Sequence, residues 1–265
     1  MADALPALVD AHTHLNHPRL QRRLPEVLAR ARAAGVAAML VVGYDLPSSE
    51  LAVSLAQEHE DLWAAVGIHP HDASAADVPA LARLRKLARR PRVAAVGETG
   101  LDLYRNLSPR AAQVEAFRRH AALAAEVGLP LIVHCRAAEE ELLGLLAEEV
   151  GAPIIWHCFD GAWEQAERAL ALGATLGLGG LVVRGPHPGL LRTAAEAPED
   201  RLVVETDSPY LTPEMARGRD NEPANLRAVI RRLAELRGVG EQELARATTQ
   251  TARRLFKLEI EAPAP

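Results

Sequence analysis

Residues 110–134, RAAQVEAFRRHAALAAEVGLPLIVH, decide the fold. Apolar positions recur at helical spacing from Arg110 to Val127, so this part predicts an amphipathic helix. Gly128 follows at the position that tolerates a positive φ at a helix end. Leu131–His134 is then a short apolar run closed by a histidine, the composition of a buried parallel strand. Residues 139–157, EEELLGLLAEEVGAPIIWH, repeat the pattern. A helical run over Glu139–Glu149 is followed by Gly151 and by the strand-like Pro153–His157, again closed by a histidine.

Outward from there, strand-like and helical runs alternate about eight times along the chain. The other strand-like runs are Leu8–His14, Val36–Gly43, Leu62–Ile68, Val93–Thr99, Ala174–Gly179 and Leu202–Thr206. Pro25–Ala34 and Val78–Arg90 have helical spacing, and Gly35 and Gly173 punctuate helix ends. Ser108-Pro109 reads as an N-cap followed by proline at the first helical position. Repeated strand–helix units predict an α/β fold with a parallel sheet. Eight of them in roughly 250 residues fit a (β/α)8 TIM-type barrel, with an open doubly wound sheet as the alternative. The reading is one domain over residues 1–265, with its core at about 8–256 and a disordered tail at Glu261–Pro265.

Composition narrows the function classes. Hydrophobic residues make up 49% of the 265, enough for a large core, and aromatics only 3%, so aliphatic side chains must do the packing. A net charge of −5 gives no global basic footprint for nucleic acid, and no polybasic run marks a membrane surface. Lys86 and Lys257 are the only lysines, so arginine carries nearly all the positive charge. Coding bias and a preference for ion pairs both account for that. Two cysteines, Cys135 and Cys158, are too few for a disulfide framework and fit free thiols in the cytoplasm. Met1–Asp10 reads as no signal peptide, and no apolar run is long enough to span a membrane.

The chemistry lies at the strand ends. In Asp10-Ala-His12-Thr-His14 the two histidines share a face, because strand side chains alternate. Glu98 follows Val96-Gly97, His134 follows Ile132-Val133, His157 follows Ile155-Trp156, and Asp207 closes Val204-Glu205-Thr206. Singly, each has an ordinary explanation: a surface histidine pair, a loop carboxylate, a satisfied core histidine. Together they put a histidine or carboxylate at the end of the first, fourth, fifth, sixth and eighth runs. In a barrel those ends converge on the C-terminal mouth of the strands. Six such ligands suggest two divalent ions: one on His12, His14 and Asp207, the other on His134 and His157, with Glu98 bridging. Two ions roughly 3.5–4 Å apart clamp the attacking and leaving oxygens of a displacement. A metal-bridging hydroxide would be the nucleophile, Asp207 its proton acceptor and Glu98 the bridging catalytic carboxylate. The imidazoles favour Zn or Mn, and the carboxylates leave Mg open.

Other residues carry weaker signals. His69 either contacts a substrate phosphate or metal-bound water, or shapes the loop beside Pro70. Arg136 either pairs with a phosphate or anchors Glu139 or Glu140. Tyr104 and Arg105 form a lip of the site or plain loop surface. Glu205 is placed to orient a ligand without touching the ions. Asn221 and Glu222 are expected to hold the loop after the eighth strand, and Pro223 suits the first turn of the next helix.

These motifs together resemble the TatD family of metal-dependent deoxyribonucleases, within the amidohydrolase-type barrels. The resemblance rests on Asp10-Ala-His-Thr-His14, Gly67-Ile-His-Pro-His71, Gly97-Glu-Thr-Gly-Leu-Asp102, Pro130-Leu-Ile-Val-His-Cys-Arg136, His157-Cys-Phe159, Glu205-Thr-Asp-Ser-Pro-Tyr-Leu211 and Asn221-Glu-Pro223. Ser108-Pro-Arg110 with Gln113 and Phe117 adds to it. It implies a (β/α)8 barrel, one or two divalent ions on the six residues above, and hydrolysis of phosphodiester bonds in weakly held DNA. Some family members lack the first histidine pair; its presence here supports two ions. Asp160 departs from the pattern, which has a small polar residue there; it either weakens phosphate binding or faces away. The competing readings are hydrolysis of a carboxyl ester, lactone or aminoacyl ester at the same site, and a metal-bearing scaffold without activity. No membrane contact and no obligate protein partner are expected.

Overall fold

The computed structural model describes residues 6–149, 151–185, 187–216 and 218–259, so the tail Glu261–Pro265 lies outside them. Eight strands occur, one for each strand-like run: β1 Leu8–Thr13, β2 Val36–Val42, β3 Leu62–Val66, β4 Val93–Asp102, β5 Leu131–Arg136, β6 Ile154–Trp156, β7 Thr175–Leu178 and β8 Leu202–Val204. They form one sheet in chain order from β1 to β8. The pairs β3–β4, β4–β5, β5–β6 and β7–β8 are parallel. Thr13 of β1 makes a parallel bridge with Ser208, just past β8, so the first and last strands adjoin. An open doubly wound sheet reverses its strand order. This order never reverses, and the fold class is the (β/α)8 barrel.

The chain divides into two compact units that interleave in sequence: Met1–Leu40, Cys158–Ala166 and Leu176–Pro265 in one, Val41–His157 and Glu167–Thr175 in the other. In the second unit, β3 and the first part of β5 are wholly apolar and buried, which suits strands covered on both faces. The helix Arg110–Val127 occupies the expected residues, buries Phe117, Leu123 and Ala124, and ends at Gly128 with φ 67°. Its start differs from expectation. Pro109 holds the capping position and no side chain caps the helix. The Ser108 hydroxyl donates instead to the His71 carbonyl at 2.8 Å, and the Gln113 amide donates to the Ser108 carbonyl at 2.8 Å. Ser108 thus ties the loop after β4 to the turn Pro70–Ala75.

Strand β4 runs three residues beyond its expected end. Its register with β5 shifts between Val96 and Thr99, then resumes with Gly100 opposite His134 and Asp102 opposite Arg136. An irregularity of this kind re-aims side chains without ending the strand. Gly100 makes the continuation work: its φ is +139°, and a Cβ there would overlap the His134 carbonyl oxygen.

In the first unit β1 is buried along its whole length. Strand β8 stops at Val204, two residues earlier than expected. The Thr206 N–H leaves the ladder and donates to Asp10 Oδ1 at 2.9 Å. The long loop after β8 is held as the sequence suggests. Asn221 donates its amide to the Thr206 carbonyl at 2.8 Å, and its own side-chain oxygen accepts the Glu222 N–H at 3.0 Å. Glu222 then takes two bonds, 2.6 and 2.9 Å, from the Arg30 guanidinium. Pro223 opens a short 3-10 turn leading into the helix Leu226–Arg237.

One buried histidine in the second unit makes stability depend on pH. His120 is fully buried; its Nδ1 donates to the Ala116 carbonyl at 2.7 Å, which leaves Nε2 to accept the Ile68 N–H at 3.1 Å. Burial pushes this imidazole from 6.5 down to about 4. As pH falls below 6.5 the unfolded chain takes up the proton first and the folded chain resists until about 4. Stability from this group is therefore complete above that window and lost through it, on the order of 3 kcal/mol in all. Urea melts between pH 7 and pH ~4.5 should show this slope, and His120→Gln, which accepts the same N–H without titrating, should flatten it. An equal slope in the variant would refute the assignment.

Candidate metal centre

In the first unit, the end of β1 and the segment after β8 bring His12, His14 and Asp207 together. Their placement starts from Asp10, fully buried two residues before His12. Its carboxylate accepts the Thr206 N–H at 2.9 Å, the Thr206 hydroxyl at 2.6 Å and the His12 N–H at 3.3 Å. Burial pushes the Asp10 carboxyl up to about 8, against the lowering effect of these donors. Two backbone bonds extend the contact: Asp207 N–H to the His12 carbonyl at 2.9 Å and His14 N–H to the Ser208 carbonyl at 2.7 Å.

The result is a compact donor set. His12 Nε2 and His14 Nε2 lie 3.3 Å apart with their rings edge to face. Asp207 Oδ1 is 3.4 Å from His14 Nε2 and 4.0 Å from His12 Nε2. Asp207 sits at φ 52°, a region L-residues seldom adopt. Such a conformation persists where surrounding bonds enforce it, here the His12 carbonyl on one side and the Tyr210 N–H, which donates to the Asp207 carbonyl at 2.8 Å, on the other. Glu205 is fully buried, and its Oε1 accepts the Cys158 N–H at 2.5 Å, fixing the backbone directly after His157.

In the second unit, the acceptor is Glu98, 2% exposed on β4. Its Oε1 lies 2.9 Å from His134 Nδ1, 3.2 Å from His157 Nε2 and 3.6 Å from His69 Nε2. Ligand atoms of His69, Glu98 and His134 all fall within 4.8 Å of one another. On the far side of His134, Asp102 Oδ2 is 3.6 Å from Nε2 and accepts from His71 Nε2 at 2.7 Å. Burial pulls His134 down, but the Asp102 and Glu98 carboxylates outweigh it and hold the imidazole above its ordinary range. Burial likewise raises Asp102, yet the bonds from His134, the Arg105 N–H and His71 dominate and hold it well below the usual carboxylate range.

These donors fit a divalent cation. One carboxylate oxygen is crowded by three ring nitrogens, and His134 Nε2 is buried with Asp102 Oδ2 3.6 Å away, just outside hydrogen-bond distance. Buried polar atoms normally find partners. Neutral imidazole nitrogens and a carboxylate oxygen are the ligands that Zn, Mn and related ions take. The His12, His14 and Asp207 set has the same chemistry.

Of the weaker candidates, His69 has its Nε2 3.6 Å from Glu98 Oε1, while its Nδ1 accepts the His71 N–H at 3.1 Å and caps the turn Pro70–Ala75. Among the described residues no ion pair joins Arg136 to Glu139 or Glu140, and Glu140 is taken by Arg168 at 2.6 Å. The Arg136 guanidinium lies over the Tyr104 ring, 4.1 Å from the centroid. Arg105 gives its backbone N–H to Asp102 Oδ1 at 2.7 Å, and its side chain is exposed. Asp160 is exposed as well. Sequence reasoning missed Asp10, His71 and Asp102 as site residues. The available signal for Asp102 was its even spacing from Glu98 along one strand.

Three comparisons bear on this arrangement. The family model described as TatD related DNase matches residues 9–257. The chain is 39% identical to the uncharacterised metal-dependent hydrolase YabD of Bacillus subtilis, over 95% of this chain and 99% of that one. It is also 39% identical to the 3'-5' ssDNA/RNA exonuclease TatD of Enterobacter lignolyticus, covering 94% and 98% of the two. Among solved structures, the TatD homolog YjjV from Escherichia coli superposes with a TM-score of 0.88 at 29% identity, covering 95% of this chain and 98% of that one.

The Asp10 contacts give a stability test. Thr206→Val removes the hydroxyl that bonds a buried carboxyl and should cost roughly 1–3 kcal/mol in urea melts. Thr206→Ser retains the hydroxyl and should recover most of that loss. Equal losses in both variants would mean the methyl packing, rather than the hydrogen bond, matters.

Proposed function

Because the chain belongs to the TatD related DNase family, we propose that this metal-dependent hydrolase cleaves phosphodiester bonds in single-stranded nucleic acid, DNA above all. The whole chain, residues 1–265, works as one hydrolase domain. His12, His14, Glu98, His134, His157 and Asp207 hold two divalent ions, Zn, Mn or Mg, at the C-terminal mouth of the strands. The observation that carries this reading is the pair of donor sets: three ring nitrogens around Glu98 Oε1, and two imidazoles facing Asp207. All six residues lie on or just after a parallel strand, and in this fold class strand ends build the active site.

Bound cations would supply Lewis acidity, polarising a phosphoryl oxygen and lowering the pKa of an attacking water. The protein's own residues do the rest. The Asp207 carboxylate accepts the proton of that water, from a position its backbone bonds to β1 and Tyr210 hold. Glu98, His134 and His157 would hold one ion, and His12, His14 and Asp207 the other. Glu205 keeps the backbone after His157 in place through Cys158. Arg136, which pairs with no carboxylate among the described residues, takes a non-bridging phosphate oxygen, and His69 another. Tyr104 and Arg105 form the exposed lip over which the strand enters. The net charge of −5 means that affinity comes from these local contacts, and DNA is held weakly. The proposed place of action is the cytoplasm, whose reducing conditions would keep Cys135 and Cys158 as thiols.

The test is degradation of a single-stranded oligonucleotide with Mg, Mn or Zn added in turn. Asp207→Asn should lower kcat by about 10²–10⁴. If all three metals leave the DNA intact while a carboxyl ester is cleaved, the nuclease reading fails. Metal analysis should count two ions per chain, falling to one in the double variant His12→Ala, His14→Ala. Calorimetric metal affinity should drop as pH falls below roughly 6.5, because the ligating imidazoles must be neutral; a flat profile would argue against them as ligands.

A further inference from the structure

The chain has three tryptophans, three tyrosines and three phenylalanines. Among the described residues, just two of these aromatic side chains are exposed, Tyr104 at 67% and Tyr210 at 44%. Both lie beside candidate metal ligands. Tyr104 is two residues past Asp102, which touches His134, and its loop is pinned rather than loose. Leu103 N–H donates to the Arg136 carbonyl at 3.0 Å, Arg105 N–H to Asp102 Oδ1 at 2.7 Å, and Asn106 N–H to the Asp102 carbonyl at 3.1 Å. Tyr210 is three residues past Asp207, and its ring centroid is 5.9 Å from that of His14.

Each exposed tyrosine also carries an arginine. The Arg136 guanidinium lies over the Tyr104 ring, 4.1 Å from its centroid, and the residue is 67% exposed. Arg19 lies 5.9 Å from the Tyr210 centroid and is itself held by Asp220 through Nε at 2.7 Å. A cation on one face fixes a ring and leaves a rigid, flat apolar surface on the other. Five of the nine aromatic side chains, Trp63, Phe117, Trp156, Phe159 and Phe256, are buried in the core, whereas these two tyrosines keep their rings in water next to candidate metal ligands.

We infer that Tyr104 and Tyr210 are stacking platforms for unpaired nucleobases, backed by Arg136 and Arg19. This rests on the nuclease reading and assigns its preference for single strands to two side chains. Every base has a π-face, so stacking tolerates any sequence, whereas bases in a duplex are already stacked on their neighbours and unavailable. Arg136 then has two tasks, supporting the ring and meeting a phosphate.

The experiment measures binding of a fluorescently labelled, nuclease-resistant phosphorothioate strand to the metal-loaded protein by anisotropy. A wholly abasic strand of the same length is measured alongside. Tyr104→Ala and Tyr210→Ala should each raise Kd about 10-fold for the base-bearing strand and less than about 2-fold for the abasic strand. Tyr104→Phe and Tyr210→Phe should restore tight binding, because the ring and not the hydroxyl is needed. An alanine variant that weakens both strands equally, or neither, overturns the role of that tyrosine. Cleavage of an unmodified strand is followed in parallel. If base-dependent binding persists without cleavage under any metal, the nuclease reading falls and the platforms stand. If the parent protein binds neither strand, both fall.

Discussion

The buried Asp10 carboxyl group is the constraint on which the first set of candidate ligands depends. It takes two donors from Thr206, 196 residues away in sequence, and a third from the His12 backbone. Those bonds fasten the first strand to the segment after the last one. Together with the Asp207 N–H bond to the His12 carbonyl and the His14 N–H bond to the Ser208 carbonyl, they set His12, His14 and Asp207 within reach of one another. A carboxyl buried this deeply is costly unless it is fully bonded.

The second ligand set solves a different problem, the accumulation of like groups. Glu98 and Asp102 lie on one strand, with His134 between them in space, touching one carboxylate through each ring nitrogen. His71 loads Asp102 from the other side, and His69 and His157 load Glu98. Two carboxylates among imidazoles make a region that attracts cations whatever the overall charge of the molecule. The register shift at Gly97 and Glu98 aims the carboxylate, and Gly100 lets the strand continue past it to deliver Asp102. The chemistry and the irregular backbone therefore have one origin.

Much of this could be read from the sequence, because parallel strands announce themselves as apolar runs and ligands follow such runs. All eight strands, the helix over Arg110–Val127 and the six candidate ligands were legible on that basis. The strand ends were less so. Strand β8 stops short because a side chain, Asp10, intercepts a backbone donor, and β4 runs long because two glycines admit an irregularity. Neither event has a local signature. Ser108 before Pro109 has the composition of a helix cap, yet its hydroxyl serves a loop 37 residues away, a choice that tertiary contacts make. Asp102 and His71 were visible as motif letters, but their pairing across 31 residues was not.

The closure described for β1 and β8 has a counterpart at the base of the same unit. The Thr249 hydroxyl, on the helix Glu241–Phe256, donates to the Ala7 carbonyl at 2.8 Å, although the two are 242 residues apart. The order of strands is thus circular in space while the polypeptide is linear. Strands β1 and β8, being neighbours, cover edges that would otherwise offer unpaired N–H and C=O groups to another chain.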